Sequence, residues 1–385
     1  MAADHHDLEA LRHTLHGAPD PSDQEARTAA FVERVLREHE PDEVRTGVGG
    51  PGLIALWRGA APGPTVLVRC ELDGLPIPET LALPYGSDTA GVSHKCGHDG
   101  HMTMVLGLAA RLQRQTPSRG TVGLVFQPAE ETGEGAARML ADGQLAGLAP
   151  DWVFALHNLP GVPLGQVVLR DGPFASASTG LVAELTGATS HAAEPEQGLS
   201  PALTMSQLVQ VWSALPQTDA ALHEAAKVTV IHARLGNPAF GTTPGEATVM
   251  ATLRAHDQPV LDRLAARAVD QAEGLAQAAG LEVETHFVEP FPATVNAPEA
   301  NALILRAAQA LGQPVAHLGR PFPWSEDFGH FTARFPGALF GLGAGESQPP
   351  LHHPTYDFPD ALLPTGVALL EALCRLLTDP GPLAP

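Results

Sequence analysis

"GTVGLVFQPAEETGEGAARMLADGQL", residues 120–145, passes from a short apolar run through a glycine-bounded acidic loop into a helical pattern. The run is too short for a buried helix and is bounded by breakers, so it reads as a buried strand. The same kind of run recurs at GLIALW (52–57), PTVLVRC (64–70), DWVFAL (151–156) and GALFGLG (337–343). Helical stretches lie between, such as MTMVLGLAARLQ (102–113) and GAARMLADGQL (135–145), and two more precede them between Asp7 and His39, separated by GAPDPSD. Strands alternating with helices predict an α/β domain with a mostly parallel central sheet. Ligands of such sheets bind beyond the carboxyl ends of the strands. There the polar residues fall: Asp73 after one strand, Glu130 and Glu131 after another, His157 at the end of a third, and His352 with His353 after the last.

Residues 180–288 follow a different order. GLVAELTG, a helix around SPALTMSQLVQVWSAL, KVTVIHARLG, EATVMATLRAHD, a helix around VLDRLAARAVDQAEGLAQAAG, and LEVETHFV spell βαββαβ. That is the ferredoxin-like split unit. The expected division is a first domain part at 1–178, an inserted domain at 179–289 and a second part at 290–385. The terminal TDPGPLAP is expected to fray.

Composition narrows the function classes. At 385 residues the chain exceeds what one core supports, and 44% hydrophobic against 17% charged residues describes a folded protein. A net charge of −21 repels nucleic acid and anionic lipid. Cys70, Cys96 and Cys374 are odd in number and widely spaced, which argues for a reducing, cytoplasmic compartment. The first residues lack the pattern of a secretory signal, and no run of about 18 apolar residues predicts a membrane span.

HKCGHDGHMTM (94–104) concentrates metal-capable groups at a helix start. Cys96 and His98 can face inward together, and the helix N-terminus is expected to favour a thiolate. A capped helix start with surface histidines is the plainer reading of that stretch by itself. In PAEETGEG an extended chain would send Glu130 and Glu131 to opposite sides, one to a metal and one to a cleft, where a carboxylate can act as general base. Solvated acids before a helix are the plainer reading. His157 and His191 could each be structural; His5, His6, His13, His16, His223 and His232 are organised by no motif.

The motifs LRHTLHGAPD, LVRCELDGLPIPE, HKCGHDGHMTM, FQPAEETGEGA, ALHNLPGVPLGQV, SHAAEPEQGLSP, SEDF and LHHPTYDF, in that order from about Leu8 to the end, resemble the M20 family of metal-dependent amidohydrolases and peptidases. The resemblance is to its branch of hippurate, N-acyl-amino-acid and auxin-conjugate hydrolases. It implies two divalent metal ions per chain held by Cys96, His98, Glu131, His157 and His352, and that mixed thiolate, imidazole and carboxylate set leans towards zinc, with manganese or cobalt accepted. It implies Glu130 as general base acting on a metal-bridging water, with Asp73 and His191 in the catalytic set. His191 would stabilise the oxyanion, often from the neighbouring subunit of a homodimer built through the inserted lid domain. Arg254 would bind a substrate carboxylate. The implied reaction is hydrolysis of the amide bond of an N-acyl amino acid. Rival readings are a dipeptidase or aminoacylase of the same superfamily, a metal-loaded binder without turnover, and a hydrolase with Cys96 as nucleophile. Departures from the family pattern are Glu71 in place of aspartate, Gly241 in place of asparagine, and Trp324 with Ser325 where small glycines are commoner.

Overall fold

The computed structural model describes residues 2–379. Two compact units are present. One comprises the chain up to Phe174 with Thr294–Pro321 and Glu326 onwards; the other comprises Ala175–Ala293 with Phe322–Ser325.

The first unit is built on an eight-stranded mixed sheet, mostly parallel. The strands Arg119–Gln127, Ala61–Glu71, Trp152–Pro160 and Gly337–Gly345 lie side by side and parallel, so their carboxyl ends share one edge. Antiparallel pairing enters on both flanks, through Glu43–Val48 and Gly52–Arg58 on one side and Val167–Leu169 on the other. Of these, Glu43–Val48 and Val167–Leu169 carry no long apolar run, which is why the sequence pattern passes over them. Phe126, Phe154 and Phe340 are buried on three of the four central strands. Each such ring removed from water stabilises the core by about 1.5–3 kcal/mol.

The helix His98–Arg114 packs on this sheet and against the helix Leu363–Thr378. Their approach depends on Gly107 and Gly366, where a Cβ would strike Val367 and Met104 respectively. The stretch Asp360–Thr378 is long and apolar enough by composition to cross a membrane, contrary to the sequence expectation. It serves the core instead: Val367, Leu369, Leu370 and Leu373 are buried among the sheet and its neighbours. The helical pattern at 135–145 divides into Gly135–Ala141 and Gly143–Ala146, because Asp142 leaves the helix and caps the Gln144 N–H. The tail beyond Asp379 lies outside the described residues.

In the second unit the strands Ala177–Thr186, Ala226–Leu235, Glu246–Ala255 and Glu282–Phe291 form an antiparallel sheet. The helices Ala202–Asp219 and Gln258–Ala279 connect them in βαββαβ order. Glu246–Ala255 alternates buried and accessible residues along its length, as a sheet covered on one face requires. Its core includes Trp212, wholly buried, whose indole N–H donates to the Ala268 carbonyl at 3.0 Å.

Candidate metal centre

Each candidate ligand in the first unit arrives on a differently constrained segment. Gly97, with φ +97, turns the chain at the N-cap of His98–Arg114 and leaves Cys96 and His98 buried on either side of it. His98 Nδ1–H donates to the Asp73 carbonyl at 2.8 Å, which fixes the ring and directs Nε2 the other way. His157 lies within its strand rather than at the end, because pairing with Gly337–Gly345 continues to Pro160. Its Nδ1 is 2.9 Å from the Asn158 carbonyl, and its Nε2 lies 3.6 Å from Cys96 Sγ. His352 has φ +63 and is held by its N–H, which donates to the Lys95 carbonyl at 2.8 Å. That turn brings Nε2 to 3.6 Å from Glu131, while neighbouring His353 bonds Thr355 instead.

Glu130 and Glu131 do not sit on an extended strand, so the alternation argument does not apply to them. They occupy a tight turn closed by Gly133 N–H donating to the Glu130 carbonyl at 2.8 Å. Both carboxylates approach His98 Nε2, each at 3.9 Å. Their other neighbours diverge: Glu131 faces His352, whereas Glu130 Oε1 lies 3.4 Å from the Asp327 N–H.

Five overlapping groups of possible ligands are present among the described residues, three of them built from the sequence-predicted ligands and Glu130. The donor atoms of Cys96, His98 and His157 lie within 4.8 Å of one another, as do those of Cys96, Glu131 and His352, and those of His98, Glu130 and Glu131. Asp73 supports this arrangement without offering itself to it. One of its oxygens accepts the Glu131 N–H at 3.0 Å and the Ser22 hydroxyl at 2.8 Å, while its carbonyl holds His98.

The electrostatics match a site built around cations. Burial raises Glu130 above the usual carboxylate range, and Glu326, Glu131 and Asp327 add to it. Burial also lifts Glu131 to about 7. Burial lowers His157 to about 3; for His98 burial opposes protonation, but Asp73 and Glu71 prevail and raise it to about 10. Burial pushes the Cys96 thiol up, with Glu131 and Glu130 adding to it, so the expected effect of the helix N-terminus on this thiol is overcome. A thiolate here requires a positive partner, and divalent cations would supply it.

Beneath the ligands lies a charge network that only part of the sequence reading anticipates. Buried Arg69 bonds Glu71, Glu326 at 2.9 Å, Asp327 at 2.6 Å and Gln127 at 2.8 Å. Glu71 also accepts from His101 at 2.7 Å, and His101 reaches Asn158, which donates to the Tyr356 hydroxyl. The glutamate that departs from the family's aspartate is thus fully engaged. Arg69, Gln127, His101 and Asn158 carry no spacing signal of their own; Glu326 and Asp327 are visible only as the acids of SEDF. His16, assigned no role from sequence, is wholly buried and bonds Asp99 and Glu79, each at 2.8 Å. Its sequence signal is its place in the motif LRHTLHGAPD.

His191 and Arg254 belong to the second unit. His191 lies exposed on a two-residue ribbon, paired with Thr242, and the Gly241 carbonyl accepts the Ala192 N–H next to it. Arg254 donates to the Ser325 hydroxyl at 2.8 Å and the Pro323 carbonyl at 3.4 Å.

Residues 67–376 match the model of Peptidase family M20/M25/M40. The chain belongs to that family. It is 31% identical to N-acetyl-L-cysteine deacetylase of Bacillus subtilis, covering 96% of this chain and 88% of that one. It is 30% identical to hippurate hydrolase of Campylobacter jejuni, covering 93% of each. A solved Bacillus subtilis structure, a dinuclear metal-binding peptidase of family M20, is 26% identical and superposes with a TM-score of 0.82 over 97% of this chain and 98% of that one. This M20 protein is a metal-dependent amidohydrolase. Its residues fit the two-metal centre of its family on a structural criterion. His98 Nε2 and Glu131 Oε1 are buried, converge on the same space, and have no hydrogen-bond partner among the described residues. Orphaned groups of this kind are costly unless something binds them.

Proposed function

We propose that this chain hydrolyses the amide bond of N-acyl amino acids, releasing the acyl carboxylate and the free amino acid. The observation that carries the reading is the convergence of one thiol, three imidazoles and Glu131 in overlapping groups, one of which, through His98 and Glu131, includes the carboxylate of Glu130. The deacetylase and hippurate hydrolase names of relatives near 30% identity support the substrate class.

Cys96, His98, His157, Glu131 and His352 would hold two divalent ions, whose Lewis acidity lowers the pKa of a water and polarises an acyl carbonyl. The mixed thiolate, imidazole and carboxylate set favours zinc, with manganese or cobalt accepted. Glu130 takes the proton of the attacking water as the new C–O bond forms, then delivers it to the nitrogen as the C–N bond breaks. The oxyanion that develops on the acyl oxygen would be met by His191, whose imidazole N–H would donate to it. Arg254 would pair with the substrate carboxylate once it exchanges the Ser325 hydroxyl for that stronger acceptor. We place the second unit as the ferredoxin-like lid and dimerisation domain, and the protein in the cytoplasm.

Turnover of N-acetyl, N-benzoyl and dipeptide substrates by protein reconstituted with zinc, manganese or cobalt tests the reading. Release of free amino acid from the acylated substrates is expected. Preference for dipeptides would move the assignment to a peptidase of the same family, and binding without turnover would make it a non-catalytic relative.

A further inference from the structure

The turn that carries the two glutamates is gripped from a remote part of the chain. Ala129, immediately before Glu130, has φ +48, a left-handed backbone that glycine adopts freely and alanine does not. Its N–H donates to Glu25 Oε1 at 2.7 Å. Glu25 is wholly buried and stands at the N-cap of the helix Ala26–Glu38, yet its side chain makes no cap there. Its second oxygen has no hydrogen-bond partner among the described residues. On the other side of Glu130, the Glu131 N–H is taken by Asp73, which Ser22 steadies. One short segment, residues 22–25, therefore bears on both backbone donors that flank Glu130.

We propose that Glu25 is a positioning residue for the hydrolytic centre: by accepting the Ala129 N–H it holds the left-handed turn in the one arrangement that sends Glu130 and Glu131 to the same side of His98. The proposal rests on the amide-hydrolase reading for its effect on turnover, although its effect on metal affinity does not. Without that acceptor, the backbone at Ala129 relaxes towards the right-handed region, and the side chains that follow swing away. Glu25 touches neither substrate nor ligand; it acts through the backbone. Burial raises Glu25 to about 7, against the backbone hydrogen bonds that lower it.

The test compares Glu25→Gln, which keeps an oxygen at the right reach but loses the charge, with Glu25→Asp, which keeps the charge but withdraws it by one methylene. Glu25→Ala and Ala129→Gly complete the set. Each full-length variant is titrated with cobalt alone, and kcat and KM are measured on an N-acyl amino acid. Positioning predicts that Gln stays within about threefold of the parent. Asp and Ala should each lose about 10–100-fold in kcat and in cobalt affinity, with KM little changed, the usual cost of disturbing groups that orient ligands. Adding Ala129→Gly to Glu25→Asp should return several-fold of the loss, since glycine adopts φ +48 without the steric cost that alanine carries there. Asp outperforming Gln would replace positioning by a charge effect and overturn the proposal. So would wild-type kcat and cobalt affinity in Glu25→Asp, or a fall in thermal stability alone. If the parent turns over no N-acyl amino acid, the hydrolase reading fails while the cobalt titrations still decide the role of Glu25.

Discussion

In the first unit, Cys96, His98 and His157 are buried, and both imidazoles have one nitrogen committed to a backbone carbonyl before any ligand arrives. In the second, His191 is exposed on a two-residue ribbon and Arg254 bonds Ser325 and Pro323. Groups that bind metal must be held within tenths of an ångström, and burial with second hydrogen bonds achieves that for these three, while half-exposed His352 is held by its backbone N–H. Groups that meet a substrate or a transition state only transiently can wait in solvent. The contrast predicts that first-unit changes act on metal content and chemistry, whereas second-unit changes act on turnover without touching the metal.

The largest effect should follow chelation. Removing the metal should abolish hydrolysis and lower the thermal stability of the first unit, since a ligand held at about a thousandfold its Kd contributes roughly 4 kcal/mol to the folded state. Zinc, manganese or cobalt should restore both. Full activity in metal-free protein would remove the basis of the comparison and favour Cys96 as a nucleophile.

Next come the adjacent glutamates. Glu130→Gln keeps the shape but cannot accept a proton, so kcat should fall about 10²–10⁴-fold with metal content unchanged. Glu131→Gln should weaken metal binding, and excess metal should recover part of its activity. Opposite behaviour of the two variants in elemental analysis and kinetics would exchange their roles.

These two residues also show where sequence stops being informative. The edge of the parallel sheet, with Asp73, the Glu130–Glu131 pair, His157 and His352 on successive segments, is legible because apolar runs end in polar residues and parallel strands align their ends. What escapes is backbone detail and distant pairing. Nothing in QPAEET indicates that Ala129 is left-handed or that the turn replaces an extended strand. Nothing in DQEART ties Glu25 to a loop about a hundred residues away. Arg69 reads as one polar residue inside an apolar strand, and only the folded chain shows it compensating Glu71, Glu326 and Asp327. Asp73, read from sequence as catalytic, holds the backbone of Glu131 and the ring of His98.

A smaller effect, and the one that probes the second unit, should follow His191→Ala: a loss of about 10²–10³-fold in kcat, typical of one oxyanion donor, at unchanged metal content. Mixing it with Glu130→Gln, each inactive by itself, should restore up to about a quarter of the parent rate if His191 serves a neighbouring copy and the copies exchange at random. No restoration under conditions where labelled copies do exchange would confine His191 to its own chain.

The smallest effect concerns what keeps the first unit rigid. His16 is buried between Asp99 and Glu79, and although burial lowers its pKa, the hydrogen bond and charge of Asp99 prevail and raise it above 6.5. A histidine whose folded pKa exceeds its unfolded one stabilises the fold fully below the unfolded value, and loses that contribution as pH rises through the folded value. His16→Gln retains size and some hydrogen bonding but no positive charge. Its thermal unfolding should therefore lie furthest below the parent at about pH 5–6, by on the order of 1 kcal/mol, and the gap should narrow as pH increases. Asp99 directly follows the ligand His98, so a rigid His16–Asp99 contact would also leave a small trace in cobalt affinity at low pH. A gap that widened with pH would mean that His16 is buried neutral, and the rigidity of this corner would then belong to Arg12, which bonds Asp99 at 2.9 Å and keeps its charge throughout.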